Sequence, residues 1–235
     1  MGAIYRREMG AFFTSSIGYV FLAVFYLASG YFFYAGSLAN ATTDMSSLFS
    51  SLFLIVVILI PILTMKLLSE EKKQKTEQGL LTAPVYLGGI VLGKYFAALT
   101  MYTIGIGVIF LYALILSFFG AVTWSIVLAN FLALFLLGAA FIAVCIFISS
   151  LTENQVVAAV GGIITLMVLY LLDFIAQYVE SVPVLPTVLR ALSFYNKYQD
   201  FTYGLFNGSS VLFYISTAVL FNFFTVRVFE KRRWS

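Results

Sequence analysis

The chain has no histidine and one cysteine in 235 residues. Without imidazole there is no histidine base and no His-containing zinc site, and a lone Cys145 can form neither an internal disulfide nor a Cys/His nucleophilic pair. Lying inside an apolar run, Cys145 is expected to pack as a small hydrophobe. Charge is scarce too, at 10% of residues. Asp173 falls near one end of an apolar run and Glu153 in a short turn, so no carboxylate stands at mid-depth for a proton or sodium relay. Nor do the expected spans carry a pair of carboxylates or a Ser/His pair for proteolysis inside a membrane. A channel reading lacks a ring-forming charge or a filter sequence, and the paired-repeat design of many secondary transporters lacks an internal repeat.

What is present is apolar. Hydrophobic residues make up 62% of the chain and aromatics 18%, well beyond a soluble globular domain. Several uninterrupted runs approach the roughly 20 residues that cross a hydrocarbon core of about 30 Å as a helix, which predicts an all-α polytopic membrane protein and not a barrel. Residues 1–16 place Tyr5, Met9, Phe12 and Phe13 at helical spacing with Arg6, Arg7 and Glu8 on the other face, predicting a helix in the membrane interface. A signal peptide ending at Ala39-Asn40-Ala41 is the competing reading, but the run before it is too long. Spans are expected over 17–38, 48–68, 94–118, 124–148, 156–174 and 211–228. Pro61 should bend the second, and 85–93 reads as an interfacial piece before the third. Residues 177–210, with Pro183 and Pro186, read as short helices at the outer leaflet, and 149–155 as a tight turn.

Six spans bring both termini to one side. That side would hold Arg6, Arg7, Lys66, Lys72, Lys73, Lys75, Lys94, Arg227, Lys231, Arg232 and Arg233, with Arg190 and Lys197 opposite, an asymmetry that makes it cytoplasmic. Asn40-Ala41-Thr42 and Asn207-Gly208-Ser209 form glycosylation sequons on the other face.

Gly88 to Lys94 spells G-x-x-x-x-G-K, the skeleton of a phosphate-binding loop, but Tyr95 stands where Ser or Thr would hold magnesium, and a membrane span follows. Gly89 with Gly93, Ala139 with Ala143 and Ala158 with Gly162 are instead helix-packing pairs four residues apart. Thr100, Thr103, Asn130 and Thr165 are polar at depth, and each is expected to bond a neighbouring helix.

The strongest signal is an island of charge at Ser69 to Pro84, with Glu70, Glu71, Lys72, Lys73, Lys75 and Glu77 in eight positions. Glu71 to Lys75 and Glu70 to Lys73 have the spacing of helical ion pairs, and Gly79 supplies a stop. A short charged helix bounded by Leu80, Leu81 and Pro84 could seat in a groove of a soluble partner and transmit its motion to the spans on either side. A solvated loop that merely obeys topology is the plainer alternative.

The segment E-E-K-K-Q-K-T-E-Q-G-L-L-T-A-P-V, with G-K-Y at 93–95, resembles the stretch between the second and third spans of ABC type 2 exporter permeases. The likeness extends over nearly the whole chain, and Phe194-Tyr195, Tyr198 to Phe201 and Gly204 are most similar to permeases associated with gliding motility. The resemblance implies a single permease domain over 1–235, with residues 69–84 forming a coupling helix on a cytosolic ABC ATPase. Glu70, Glu71, Lys72, Lys73, Gln74, Lys75 and Thr76 would touch that ATPase, and Glu153, Asn154 and Gln155 would add a smaller contact. It further implies a second permease, the same or a related chain, across a cleft lined by the first, second and fifth spans, in a bacterial inner membrane. No catalytic residue, cofactor, metal or nucleic acid is expected, since ATP hydrolysis would belong to the partner. The rival is a membrane scaffold that docks a cytosolic complex and transports nothing.

Overall fold

A computed structural model describes residues 1–76, 86–178, 185–202, 204 and 206–234. Glu77, Gly79, Leu80, Leu81, Pro84 and Pro183, named above, lie outside them. The fold is all-α, with six helical stretches long and apolar enough to span a membrane and no strand among the described residues. The elements are α1 (Gly2–Thr14), α2 (Ser16–Phe33, closed by a π-helical turn Tyr34–Leu38), α3 (Ser46–Thr64), α4 (Lys66–Lys73), α5 (Leu87–Ile106), α6 (Val108–Ser117), α7 (Trp124–Leu151), α8 (Gln155–Tyr178), α9 (Leu185–Leu192), α10 (Phe194–Thr202) and α11 (Gly208–Trp234).

The bundle is built around α7, which touches α3, α4, α5, α6, α8, α10 and α11. Its middle, Ala140 to Ala143, is fully buried, and Cys145 packs there as an apolar side chain. Two tyrosines seven residues apart on α5, hence on one face, fasten it to α7. Tyr95 donates to Ala139 O at 3.2 Å and Tyr102 to Leu134 O at 2.8 Å. Gly138 makes room for the second ring, because a Cβ there would stand 2.1 Å from Tyr102 Cε1. Gly162 likewise brings α8 against Pro61 and Cys145.

Three features depart from the sequence reading. First, α5 is continuous through Gly93 and Lys94, so residues 87–93 are the opening turns of the span itself. Nothing in G-G-I-V-L-G-K breaks the helix, and α1 lies across it, with Ile4 Cγ2 only 3.0 Å from where a Gly93 Cβ would be. Second, the charged helix is not free-standing: α4 begins one residue after α3 ends and stops at Lys73. Third, the polar groups at depth mostly bond their own helices. Thr103, Asn130 and Thr165 donate to the carbonyl four residues back, the partner within reach of a short side chain on a helix. Thr100 does the same and also accepts from Tyr5 of α1 at 3.1 Å.

At the end opposite the charged helix, α10 buries Phe194, Tyr198 and Phe201, and Tyr198 donates to Phe49 O at 2.9 Å. Phe53 is ringed by Phe141, Tyr170, Tyr195 and Tyr198 at centroid distances of 5.3–5.9 Å. This aromatic collar closes the bundle there.

Candidate functional site: a charged joint at one end of the bundle

The amphipathic pattern of α1 turns Tyr5, Met9 and Phe12 toward α5 and α2. Glu8 stands three residues after Tyr5 and four before Phe12, so it lies on that same inward stripe and is 9% exposed. This corrects the assignment of Glu8 to the polar face, and Phe13 is the residue left exposed.

Glu8 is tolerable inside because α5 presents Lys94, which is 1% exposed. Lys94 Nζ lies 3.0 Å from Glu8 Oε1, 2.9 Å from Glu71 Oε1 on α4 and 2.7 Å from Leu67 O. Arg7 closes the figure, 2.6 Å from Glu8 Oε1 and 2.5 Å from Glu71 Oε1. Two cations and two carboxylates from three separate elements thus form a neutral quartet. Neutrality and hydrogen bonding are what make buried charge affordable. Burial works against the Arg7 guanidinium, but its bonds and charge contacts with Glu8 and Glu71 outweigh it and raise its pKa. One carboxylate oxygen, Glu71 Oε2, is buried without a hydrogen-bond partner. Beside the quartet a cavity of about 500 Å3 opens between α1 and α4, rimmed by Thr14, Lys66, Gln74 and Thr76.

The joint reaches α7 and α8 by two further routes. Ser149 Oγ accepts from Ser69 N at 3.2 Å and donates to Met65 O at 3.0 Å, clasping the α3/α4 junction. Lys72 Nζ lies 3.3 Å from Glu153 Oε1, so the two segments named from sequence as separate contacts meet in space. Arg232 of α11 donates to Ser150 O, bringing the last helix to the same end.

The named residues therefore divide. Lys73, Gln74, Lys75, Thr76, Glu153 and Asn154 are exposed. Glu70 is half-buried, pairing with Lys66 at 4.0 Å and accepting from Gln74 Nε2 at 3.1 Å, not with Lys73. Glu71 faces inward and does not pair with Lys75, which lies past the helix end at φ +57°. Asn154 serves its own turn as well: its Oδ1 accepts from Val156 N at 2.9 Å, capping α8, and half-buried Gln155 opens that helix. Gly88 to Lys94 lies on α5 as helix, not as a phosphate-cradling loop.

Lys94, Glu8 and Arg7 are what sequence reasoning missed. The available signal was a lysine inside an apolar run, which calls for a buried partner, together with an acid at stripe spacing on α1.

A search among curated proteins returned no match. The family model described as ABC-2 family transporter protein matches residues 3–228, which take in every element from α1 to nearly the end of α11, and the chain therefore belongs to the ABC-2 transporter family.

Proposed function

We propose that this chain is the transmembrane permease subunit of an ATP-driven exporter and that its charged joint passes motion from cytosolic ABC ATPases to the spans. Members of the family are membrane subunits without an ATPase of their own, so an energy source must dock from outside. Exposed Lys73, Gln74, Lys75 and Thr76, with Glu153 beside Lys72, offer that docking surface on the side that the lysine and arginine asymmetry makes cytoplasmic.

The observation that carries the reading is the Arg7/Glu8/Glu71/Lys94 quartet. A surface helix that only anchored a partner would need no buried ionic weld to the third span. A helix that must move α5 and α1 when pushed does need one, because a rigid joint turns a contact at its tip into a change of span position. A second permease, the same or a related chain, would stand across a cleft lined by the first, second and fifth spans; outward residues of α2 and α8 such as Leu27, Tyr31, Ile164 and Val168 are where it would pack. Phe194-Tyr195, Tyr198 to Phe201 and Gly204, of which Tyr195 and Tyr198 stand in the aromatic collar, are what support likeness to the permeases associated with gliding motility.

The test is purification of the tagged chain from its own host in mild detergent, with quantitative mass spectrometry of what accompanies it. A stoichiometric soluble protein carrying G-x-x-x-x-G-K-[ST] is expected, and its yield should fall in Lys73→Glu/Lys75→Glu. A chain that emerges alone, or with a complex lacking any ATPase, would favour a scaffold and overturn the exporter.

A further inference from the structure

On the flank of the bundle, α5 and α11 splay over α7 and leave an apolar groove of about 710 Å3, within the roughly 300–1,000 Å3 typical of ligand sites. Leu92, Phe96 and Leu99 form one wall, Val219 and Phe223 the other, and Ala139 the floor. It lies along two helices long and apolar enough to span a membrane, where lipid would surround it.

The polar groups follow an order along α11. The Tyr214 hydroxyl, deepest, is spent on Phe194 O at 2.9 Å. Nearer the mouth is Asn222, whose Nδ2 donates to Ala218 O at 2.8 Å, which leaves its second amide hydrogen, and whose Oδ1 has no partner. Arg227 comes next, its guanidinium 4.8 Å above the Phe223 ring and bonded to Glu230 at 2.6 Å. The Glu230 backbone is three residues nearer the charged end, about 4.5 Å further out at 1.5 Å per residue. The two charged groups themselves touch, with the guanidinium on the inner side because it reaches back over Phe223. Both charged side chains are well exposed, at 61% and 39%, and both border the groove mouth. Moving outward from the bilayer, the groove therefore offers an apolar slot, an amide, a cation and then an anion.

We propose that the groove is a binding site for an amine-bearing zwitterionic phospholipid. One acyl chain lies between α5 and α11, the amide of Asn222 sits at the depth of the glycerol esters, the phosphate meets Arg227 and the terminal ammonium meets Glu230. The order of charges decides the headgroup, because phosphate precedes ammonium on the way out of the bilayer. A phosphatidylglycerol headgroup has no cation for Glu230, and a choline has no N–H to donate to it. This site is independent of the exporter reading and would hold for a scaffold equally.

Native mass spectrometry of the full chain, delipidated in detergent and titrated with phosphatidylethanolamine, phosphatidylcholine and phosphatidylglycerol of identical acyl chains, tests it. Phosphatidylethanolamine should be retained about three- to fivefold more than either competitor, the range of one exposed ion pair. Glu230→Gln, a conservative surface change, should erase that preference, and Val219→Trp should reduce retention of all three lipids. Equal retention of the three lipids, or a preference that survives Glu230→Gln, overturns the headgroup assignment. Absence of any lipid adduct, or unchanged retention in Val219→Trp, overturns the site. A protein helix that crosslinks to position 219 in the native membrane would make the groove a subunit seat and overturn it likewise.

Discussion

The ammonium of Lys94 stands 2.9 Å from Glu71 Oε1, joining the third span to the charged helix inside the fold. Removing Lys94 takes the one fully buried cation from between Glu8 and Glu71 and leaves both acids to the half-exposed Arg7. Breaking a buried ion pair in this way costs up to about 3–5 kcal/mol. Lys94→Met is therefore expected to destabilise the detergent-solubilised protein by about that amount in a denaturant titration. Adding Glu8→Gln and Glu71→Gln should recover much of the loss, since the acids no longer face each other charged. Additive losses in the combined variant would show that the quartet is not a coupled unit.

Glu71 and Lys73 are two residues apart yet should behave differently. Glu71 is turned into the quartet, so Glu71→Ala is expected to lower stability and partner retention together. Lys73 is exposed, so Lys73→Ala should leave folding within about 0.5 kcal/mol. On the exporter reading it should separate ATP turnover from substrate movement in proteoliposomes while the complex stays assembled. Unchanged coupling in Lys73→Ala would remove the helix tip from the proposed contact.

The membrane class and the number of spans were legible because apolar runs of spanning length leave few alternatives, and the family match covers the same residues. Lys94 shows what was not legible. A charge at the edge of an apolar run has the same sequence signature whether it snorkels to water or is buried in an ion pair, and only tertiary contacts separate the two. Glu8 failed for a related reason: beside Arg6 and Arg7 it looks like part of a charged face, though helical spacing places it on the stripe with Tyr5 and Phe12. The pairing of Glu71 with Lys75 failed because the helix ends at Lys73, and the i,i+4 geometry is lost beyond it.

The contact between Lys72 and Glu153 is partly exposed, at 25% and 63%, and so contributes about 0.2–1 kcal/mol to stability. Its proposed role lies in geometry, since it ties α4 to the turn before α8. On the exporter reading, Glu153→Lys and Lys72→Glu should each weaken binding of the proposed ATPase partner by more than they weaken the fold. The charge-exchanged double variant should restore binding. Equal defects in the single and double variants would mean that each residue meets the partner separately and that the pair has no role of its own.

Gly138 tests how the central helix is packed. A methyl group there would stand 2.1 Å from Tyr102 Cε1, and Tyr102 is fully buried with its hydroxyl committed to Leu134 O. The ring cannot swing away without breaking that bond inside an apolar environment. Gly138→Ala is therefore expected to cost about 1–3 kcal/mol by overpacking, despite the higher helix propensity of alanine. Tyr102→Leu frees the space and gives up the hydroxyl together with the ring, so Gly138→Ala on that background should be close to neutral. A thermal or denaturant series on the four proteins reads the coupling directly. If Gly138→Ala costs the same with leucine at 102 as with tyrosine, the glycine is required for some contact other than this ring.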